Sequence, residues 1–99
     1  MSRQASEALA GYYPCPAEAL RRLTALLVPA GGPGAVRVLD PCAGEGKALE
    51  AVASALDAEA FAVEVQRDRA SACRRRLERV IWGDAFRLRL SHQAFSLIW

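Results

Sequence analysis

An acid, two glycines and a second acid lie close together in the segment Asp40-Pro41-Cys42-Ala43-Gly44-Glu45-Gly46. Glycines at this spacing permit tight turns with positive φ, and they let a ligand approach the backbone where a helix begins. Glu64 follows 24 residues after Asp40, and Asp84 comes later still. Carboxylates accept hydrogen bonds from hydroxyl and amino groups and attract cations. The set predicts a site for a nucleoside-like ligand.

Two phosphate-binding patterns fit this loop poorly. A P-loop requires GxxxxGK[ST], but Pro41 stands at the first glycine position and Ala48 at the hydroxyl position. A dinucleotide fingerprint requires GxGxxG, and its third glycine position holds Leu49. Asp40 and Glu45 would also repel a pyrophosphate. A ligand with a cation, a ribose and an adenine but no phosphate, such as S-adenosylmethionine, fits these acids better than NAD does.

The elements that must position these residues alternate between strand and helix. Apolar residues at helical spacing predict helices over 17–28, 47–56 and 67–78, and short apolar runs predict strands over 35–39, 60–65, 80–82 and 95–99. Pro16 is expected at the first helical position, with Cys15 as the cap. Strand-helix-strand units joined by short loops form parallel sheets with right-handed crossovers. The predicted fold is α/β, a Rossmann-like parallel sheet with flanking helices.

Length and composition limit the chain to one domain. We expect residues 1–10 to form a flexible N-terminus and residues 11–99 to form the domain, with 53% of the sequence apolar. No run is long enough for a membrane span, and a cytoplasmic protein is expected. Since the sequence stops in an apolar strand, we expect a fragment, truncated after the fourth strand, that could self-associate through its exposed sheet edge.

The charge distribution and the cysteine spacing are less informative about function than the glycine loop and its acids. Eight arginines and three acids between Arg67 and Arg89 give this region a charge of +5 within a chain of +2. This region could be a basic face that meets nucleic acid, or an ordinary solvated helix face. Cys15, Cys42, Cys73 and the single His92 lack metal-ligand spacing, so no metal site is predicted.

Several motifs carry a family resemblance. The segment from Asp40 to Gly46 resembles motif I of the class I S-adenosylmethionine-dependent methyltransferases, and its DPxxGxG form is most like the N6-adenine DNA methyltransferases. The stretch GYYPCP at 11–16 is similar to motif X of that group. Glu64 matches the motif II acid, and Gly83-Asp84-Ala85-Phe86 matches the motif III acid with its adjacent aromatic.

The resemblance implies S-adenosylmethionine as the cofactor and DNA as the substrate of the complete enzyme. It places Glu64 at the ribose hydroxyls, Asp84 at the adenine amino group, and Val65 and Phe86 on the two faces of the adenine ring. The remaining cofactor-binding residues that it implies are the motif I loop, namely Asp40, Pro41, Ala43, Gly44, Glu45 and Gly46, and the covering residues Tyr12, Tyr13 and Pro14.

No catalytic residue is assigned in this sequence. In the family that the chain resembles, an Asn or Asp followed by Pro-Pro and an aromatic comes after the fourth strand, and no such tetrapeptide occurs in the 99 residues. We therefore expect this chain alone to be inactive. A non-catalytic Rossmann-like interaction module remains an alternative, and an NAD-binding domain is a less favoured one.

Overall fold

A computed structural model describes residues 12–32 and 34–99; the expected flexible segment 1–10 and Gly11 lie outside the described residues. The elements, in chain order, are α1 (Ala17–Ala25), β1 (Arg37–Asp40), α2 (Lys47–Leu56), β2 (Glu59–Glu64), α3 (Arg67–Arg74), β3 (Arg79–Trp82), a 3-10 turn (Ala85–Arg87) and β4 (Leu97–Ile98). Within these described ranges, every helix is too short or too polar to cross a bilayer.

The four strands form one parallel sheet in the order β3-β2-β1-β4. Val38 of β1 pairs with Ala60 on one side and Leu97 on the other, and Ala62 of β2 pairs with Val80. β1, β2 and β3 are linked through α2 and α3, which pack against the sheet as crossover helices. The predicted α/β Rossmann-like fold is confirmed.

Most element boundaries lie within a few residues of their predicted positions, and two differ for local reasons. Helix α1 begins at Ala17 and is capped by Pro16, whose ψ of 140° is extended and whose carbonyl accepts the Leu20 N–H at 2.9 Å. The expectation that Cys15 caps this helix is therefore wrong by one residue. Helix α3 ends at Arg74, because the chain must turn within four residues to start β3 at Arg79.

The main core lies between the sheet and the helices that cover one of its faces. Its buried members come from β1, α2, β2, α3 and the loops beside them: Val36, Val38, Ala43, Leu49, Val52, Leu56, Ala62 and Cys73. Helix α1 contributes no buried residue, its Leu23 is 44% exposed, and Leu26 directly after it is 77% exposed. The apolar face predicted for this helix is thus only partly covered, since α1 packs chiefly against α2.

The opposite face of the sheet is partly covered by the irregular crossover between β3 and β4, and Ile81 on this face remains 53% exposed. Phe95 of this crossover meets Phe61 of β2 edge to face, with ring centres 5.2 Å apart. The Arg37 guanidinium lies 4.7 Å from the Phe61 ring centre and 5.4 Å from that of Phe95, and it donates to the Ala94 carbonyl at 3.2 Å. These cation–π and hydrogen-bond contacts hold the crossover against the sheet without a regular helix.

Gly46, the residue before α2, is fixed by packing between the two crossover helices. Its φ of +87° lies in the left-handed region, and a Cβ there would come within 2.8 Å of Cys73 Sγ and 3.2 Å of Leu77 Cδ1. A side chain would therefore force α2 and α3 apart. This glycine is required by the fold whether or not a ligand approaches it.

We predict that Gly46→Ala lowers the free energy of unfolding by about 3 kcal/mol, because a left-handed residue costs about 1–2 kcal/mol and the clash adds to it. Gly32→Ala is the matched control, since a Cβ on Gly32 meets nothing within 4 Å. That variant should stay within about 0.5 kcal/mol of the parent protein. Urea unfolding followed by circular dichroism measures both, and equal losses in the two variants would contradict the packing role.

Candidate functional site

Three acids gather at the carboxyl edge of the sheet, where the sequence predicted them. Asp40 ends β1 and Glu64 ends β2, and the two residues are only 6% and 5% exposed. Asp84 follows β3 and is exposed to solvent. Parallel strands bring their carboxyl ends to one edge, which explains how residues far apart in sequence come together.

Short hydrogen bonds connect the glycine loop to both neighbouring strands. Asp40 Oδ1 accepts the Cys42 N–H at 3.0 Å, and the Ala43 N–H donates to the Val63 carbonyl at 2.9 Å. The Gly44 N–H then donates to Glu64 Oε1 at 2.9 Å. The loop backbone is thus anchored to β1 at one end and to β2 in its middle.

The second carboxylate oxygen of Glu64 also accepts hydrogen bonds. Oε2 accepts the Gln66 N–H at 2.6 Å and the Arg69 Nε–H at 3.4 Å. Gln66 caps α3 through its side chain, which accepts the Arg69 N–H at 2.9 Å. Within the described ranges, every buried side-chain nitrogen or oxygen has a hydrogen-bond partner. Glu64 therefore links the glycine loop to the start of α3.

Tyr12 covers the glycine loop from outside. Its ring lies directly against Gly44, whose φ of +59° and missing Cβ leave room for it, since a Cβ would overlap the ring. Tyr12 Oη accepts the Glu45 N–H at 3.4 Å, and the Arg69 guanidinium lies 4.9 Å from the ring centre. This residue from the predicted motif X segment is thus docked on the predicted motif I loop.

Apolar side chains are exposed beside Asp84. Phe86 is 99% exposed and Val65 is 65% exposed. The Trp82 indole donates to the Val65 carbonyl at 3.0 Å, and Asp84 Oδ1 accepts the Phe86 N–H at 2.9 Å, so the backbone at both positions is held in place. An exposed phenylalanine on an ordered turn contributes little to folding, and it offers a flat apolar surface to a ligand.

These residues line two adjoining clefts at the carboxyl edge. The first cleft, of about 500 Å³, is lined by Tyr12, Tyr13, Pro41, Cys42, Glu64, Val65, Arg69, Gly83, Asp84, Ala85 and Phe86. The second cleft, of about 310 Å³, is lined by Tyr12, Tyr13, Pro14, Cys15, Asp40, Cys42, Ala43, Lys47, Ala48 and Trp99. Both clefts share Tyr12, Tyr13 and Cys42, which therefore lie at the boundary between them.

The predicted site residues divide between the clefts. The four expected around the ribose and adenine, namely Glu64, Val65, Asp84 and Phe86, all line the first cleft, whereas Asp40, Ala43 and Pro14 line the second. Gly44, Glu45 and Gly46 line neither cleft. Gly44 lies beneath Tyr12, and Glu45 contributes its backbone N–H to that same tyrosine.

Sequence reasoning missed several lining residues. Arg69 joins the first cleft, Lys47 joins the second, and the exposed Cys42 borders both. Lys47 was visible as the first residue of the predicted helix, beside the loop. Arg69 carried no signal that separated it from the other arginines of its region, because its contacts depend on how α3 packs.

Burial changes the pKa of Asp40 in the second cleft and of Cys73 in the core. Burial raises the pKa of Asp40 above its ordinary value of 3.8, and the nearby Glu64 carboxylate raises it further, while the Cys42 N–H acts in the opposite direction. Burial also raises the pKa of the Cys73 thiol, so this cysteine behaves as a core residue. Among residues 12–32 and 34–99, no three His, Cys, Asp or Glu side chains are arranged to hold a metal ion.

We predict that Asp40→Asn stabilises the folded protein at neutral pH. An Asn keeps the oxygen that accepts the Cys42 N–H and removes a buried charge. Because the pKa of Asp40 is raised by folding, its ionisation destabilises the native state as the pH rises from 3.8 through the raised value. Urea unfolding from pH 3.5 to 7 should show the two proteins diverging as the pH rises. A variant less stable than the parent at pH 7 would contradict this account.

The sequence was also compared with known proteins and protein families. No curated protein matched the chain. Residues 1–99 match the family described as an uncharacterised methyltransferase family (DUF6094). Since this match covers the whole sequence, the chain belongs to that methyltransferase family.

Proposed function

We propose that this chain is the S-adenosylmethionine-binding part of a methyltransferase. One observation carries the proposal: the acids at the ends of three adjacent parallel strands line two adjoining clefts of different chemical character. The larger cleft combines exposed apolar side chains with two carboxylates and suits an adenosine. The smaller cleft combines a buried carboxylate with a lysine and suits an amino acid.

The larger cleft matches the functional groups of adenosine. Asp84 Oδ1 accepts from its own turn, which leaves Oδ2 to accept from an adenine amino group. Val65 and Phe86 offer apolar surfaces for the two faces of the ring. The Glu64 carboxylate, with room for about four hydrogen bonds, already accepts three, so it can take one ribose hydroxyl directly and a second in exchange for an existing donor.

The smaller cleft matches a methionine that carries a sulfonium. A cation beside Asp40 would stabilise its ionised form, which burial disfavours. Lys47 and the first turn of α2, which has no side-chain cap, offer positive charge and free N–H groups to the carboxylate of the ligand. Both ends of an amino acid therefore find a partner in this cleft.

The total charge of the two clefts also favours this cofactor over NAD. The charged lining residues are Asp40, Glu64, Asp84, Arg69 and Lys47, which leave a balance of one negative charge. S-adenosylmethionine carries two positive charges and one negative charge. The pyrophosphate of NAD would instead be repelled by the buried acids. When bound, the cofactor supplies an electrophilic methyl group, and the protein residues orient it for attack by a nucleophile.

We further propose N6 of adenine in DNA as the methyl acceptor, on the strength of the DPxxGxG and GYYPCP motifs. The arginine-rich region gives this acceptor limited support. Arg69, Arg76 and Arg79 pair with Glu64, Glu50 and Glu59. Arg74 and Arg75 lie at the end of α3, which leads to the opposite edge of the sheet. Arg87 and Arg89 are the exposed arginines that follow Asp84 on the chain, and they are the better candidates for phosphate contacts.

Calorimetric titration tests the cofactor. We predict that the protein binds S-adenosylmethionine and not NAD, and that Asp84→Asn weakens binding by about tenfold or more. The Asn keeps the oxygen that accepts the Phe86 N–H, but it turns the free oxygen into an amide donor that opposes the adenine amino group. Asp68→Asn removes an equal charge from the exposed start of α3 and should leave the affinity unchanged.

The alternative functions give different titration results. Binding of NAD alone would refute the proposal. A protein that binds neither ligand and sediments as a dimer would favour the interaction module, with β3 and β4 as the outer strands and Ile81, Trp82 and Ile98 exposed on them.

Methyl transfer tests the acceptor. The full-length product of the gene, incubated with methyl-tritiated S-adenosylmethionine and unmethylated DNA, should label N6-methyladenine once the DNA is digested to nucleosides. Matched DNA in which adenine is already N6-methylated should remain unlabelled. Label in cytosine, RNA or protein instead would keep the cofactor assignment and overturn the DNA adenine assignment.

A further inference from the structure

We infer that Arg69 is a positioning residue that couples Tyr12 to Glu64, so that the cover over the glycine loop and the ribose acid act as one unit. The inference rests on the proposed function for its ligand, and on contacts in the protein for its geometry. Neither the motifs of the sequence nor the family description assigns a role to this arginine.

Arg69 contacts both partners from a largely buried position. Its Nε lies 3.4 Å from Glu64 Oε2, and its guanidinium carbon lies 4.9 Å from the Tyr12 ring centre. Its side chain is 16% exposed, against 6% for Glu64. A shielded ion pair is screened less by water and salt than a surface pair, so removal of the cation should be felt at the acid.

Tyr12 is consequently held between two surfaces. The Arg69 guanidinium lies over its ring, and the ring packs on Gly44 while its Oη accepts the Glu45 N–H at 3.4 Å. Gly44 in turn donates to Glu64 at 2.9 Å. Tyr12, Arg69, Glu64 and the glycine loop therefore form a closed ring of contacts, in which Arg69 provides the link that does not pass through the loop backbone.

The bond from Arg69 is the one that a ribose can replace most readily. It is the longest of the three to Glu64, and the other two donors are backbone groups fixed in a turn and a helix start. A ribose hydroxyl that takes this position would shift the guanidinium and, with it, the Tyr12 ring. Recognition of the ribose and placement of the cover are thereby linked through one side chain.

Titration with S-adenosylmethionine and with its 2′-deoxyribose analogue tests this role. The parent protein should prefer the ribose form, because Glu64 accepts from both hydroxyls. Arg69→Met should raise the ratio of the two affinities by about threefold or more, because the second hydroxyl then binds Glu64 without having to displace the guanidinium. Arg69→Lys keeps a cation near Glu64 and should hold the ratio close to that of the parent. Arg74→Met, at the exposed end of α3, should match the parent.

If the ratio of the affinities for S-adenosylmethionine and its 2′-deoxyribose analogue is the same in Arg69→Met as in the parent, the inference is wrong. This holds whether both affinities fall equally or neither changes. Failure of the parent to bind S-adenosylmethionine would refute the proposed function instead.

The coupling would then be tested without ligand, through the unfolding equilibrium constants of Tyr12→Leu, Glu64→Gln and the double variant. With Arg69 present, these substitutions should be non-additive by about threefold or more, and in the Arg69→Met background the non-additivity should be smaller, since only the contacts through the glycine loop remain. Equal coupling in both backgrounds would overturn the inference.

Discussion

The hydrogen bond from the Gly44 N–H to the Glu64 carboxylate is the interaction on which the rest of the edge depends. A carboxylate that is only 5% exposed is tolerated when donors surround it, and Gly44, Gln66 and Arg69 provide them. Each donor belongs to a different part of the chain: the glycine loop, the turn after β2, and α3. The end of β2 thereby fixes the glycine loop and the start of α3 relative to each other.

The same arrangement makes the edge energetically unfavourable without a cation. Asp40 lies near Glu64, and burial together with that neighbour raises the pKa of Asp40. A fold selected for stability alone would not need two buried acids beside each other. Such pairs are common where proteins bind charged ligands, because the ligand supplies the missing charge. The proposed sulfonium and ammonium groups would do this at Asp40, while Arg69 already does it at Glu64.

The division of the site into two clefts depends on Tyr12 as much as on the sheet. Its ring rests on a glycine with positive φ and separates the surface near Asp84 from the surface near Asp40. A side chain on Gly44 would displace this ring, so the loop glycine has a packing role as well as a conformational one. The same is true of Gly46, which lets Cys73 approach the start of α2. The two glycines of the motif thus act through protein contacts, and neither of them lines the two clefts.

The sequence alone determined the elements and the edge at which the acids meet, because hydrophobic periodicity and strand-helix alternation are local properties that imply a parallel sheet. It also pointed to Glu64 and Asp84, since each lies at or just after the end of a strand, whereas Val65 and Phe86 were expected in the site only from the family resemblance. The tertiary structure alone decided that Gly46 packs against Cys73, that Glu64 holds the glycine loop, and that Arg69 contacts Tyr12. These contacts join residues far apart in the sequence, since 20 positions separate Gly44 from Glu64 and 33 separate Tyr12 from Glu45, and Arg69 lies further still from Tyr12. They depend on how helices and loops pack against one another, and no spacing along the chain encodes that packing.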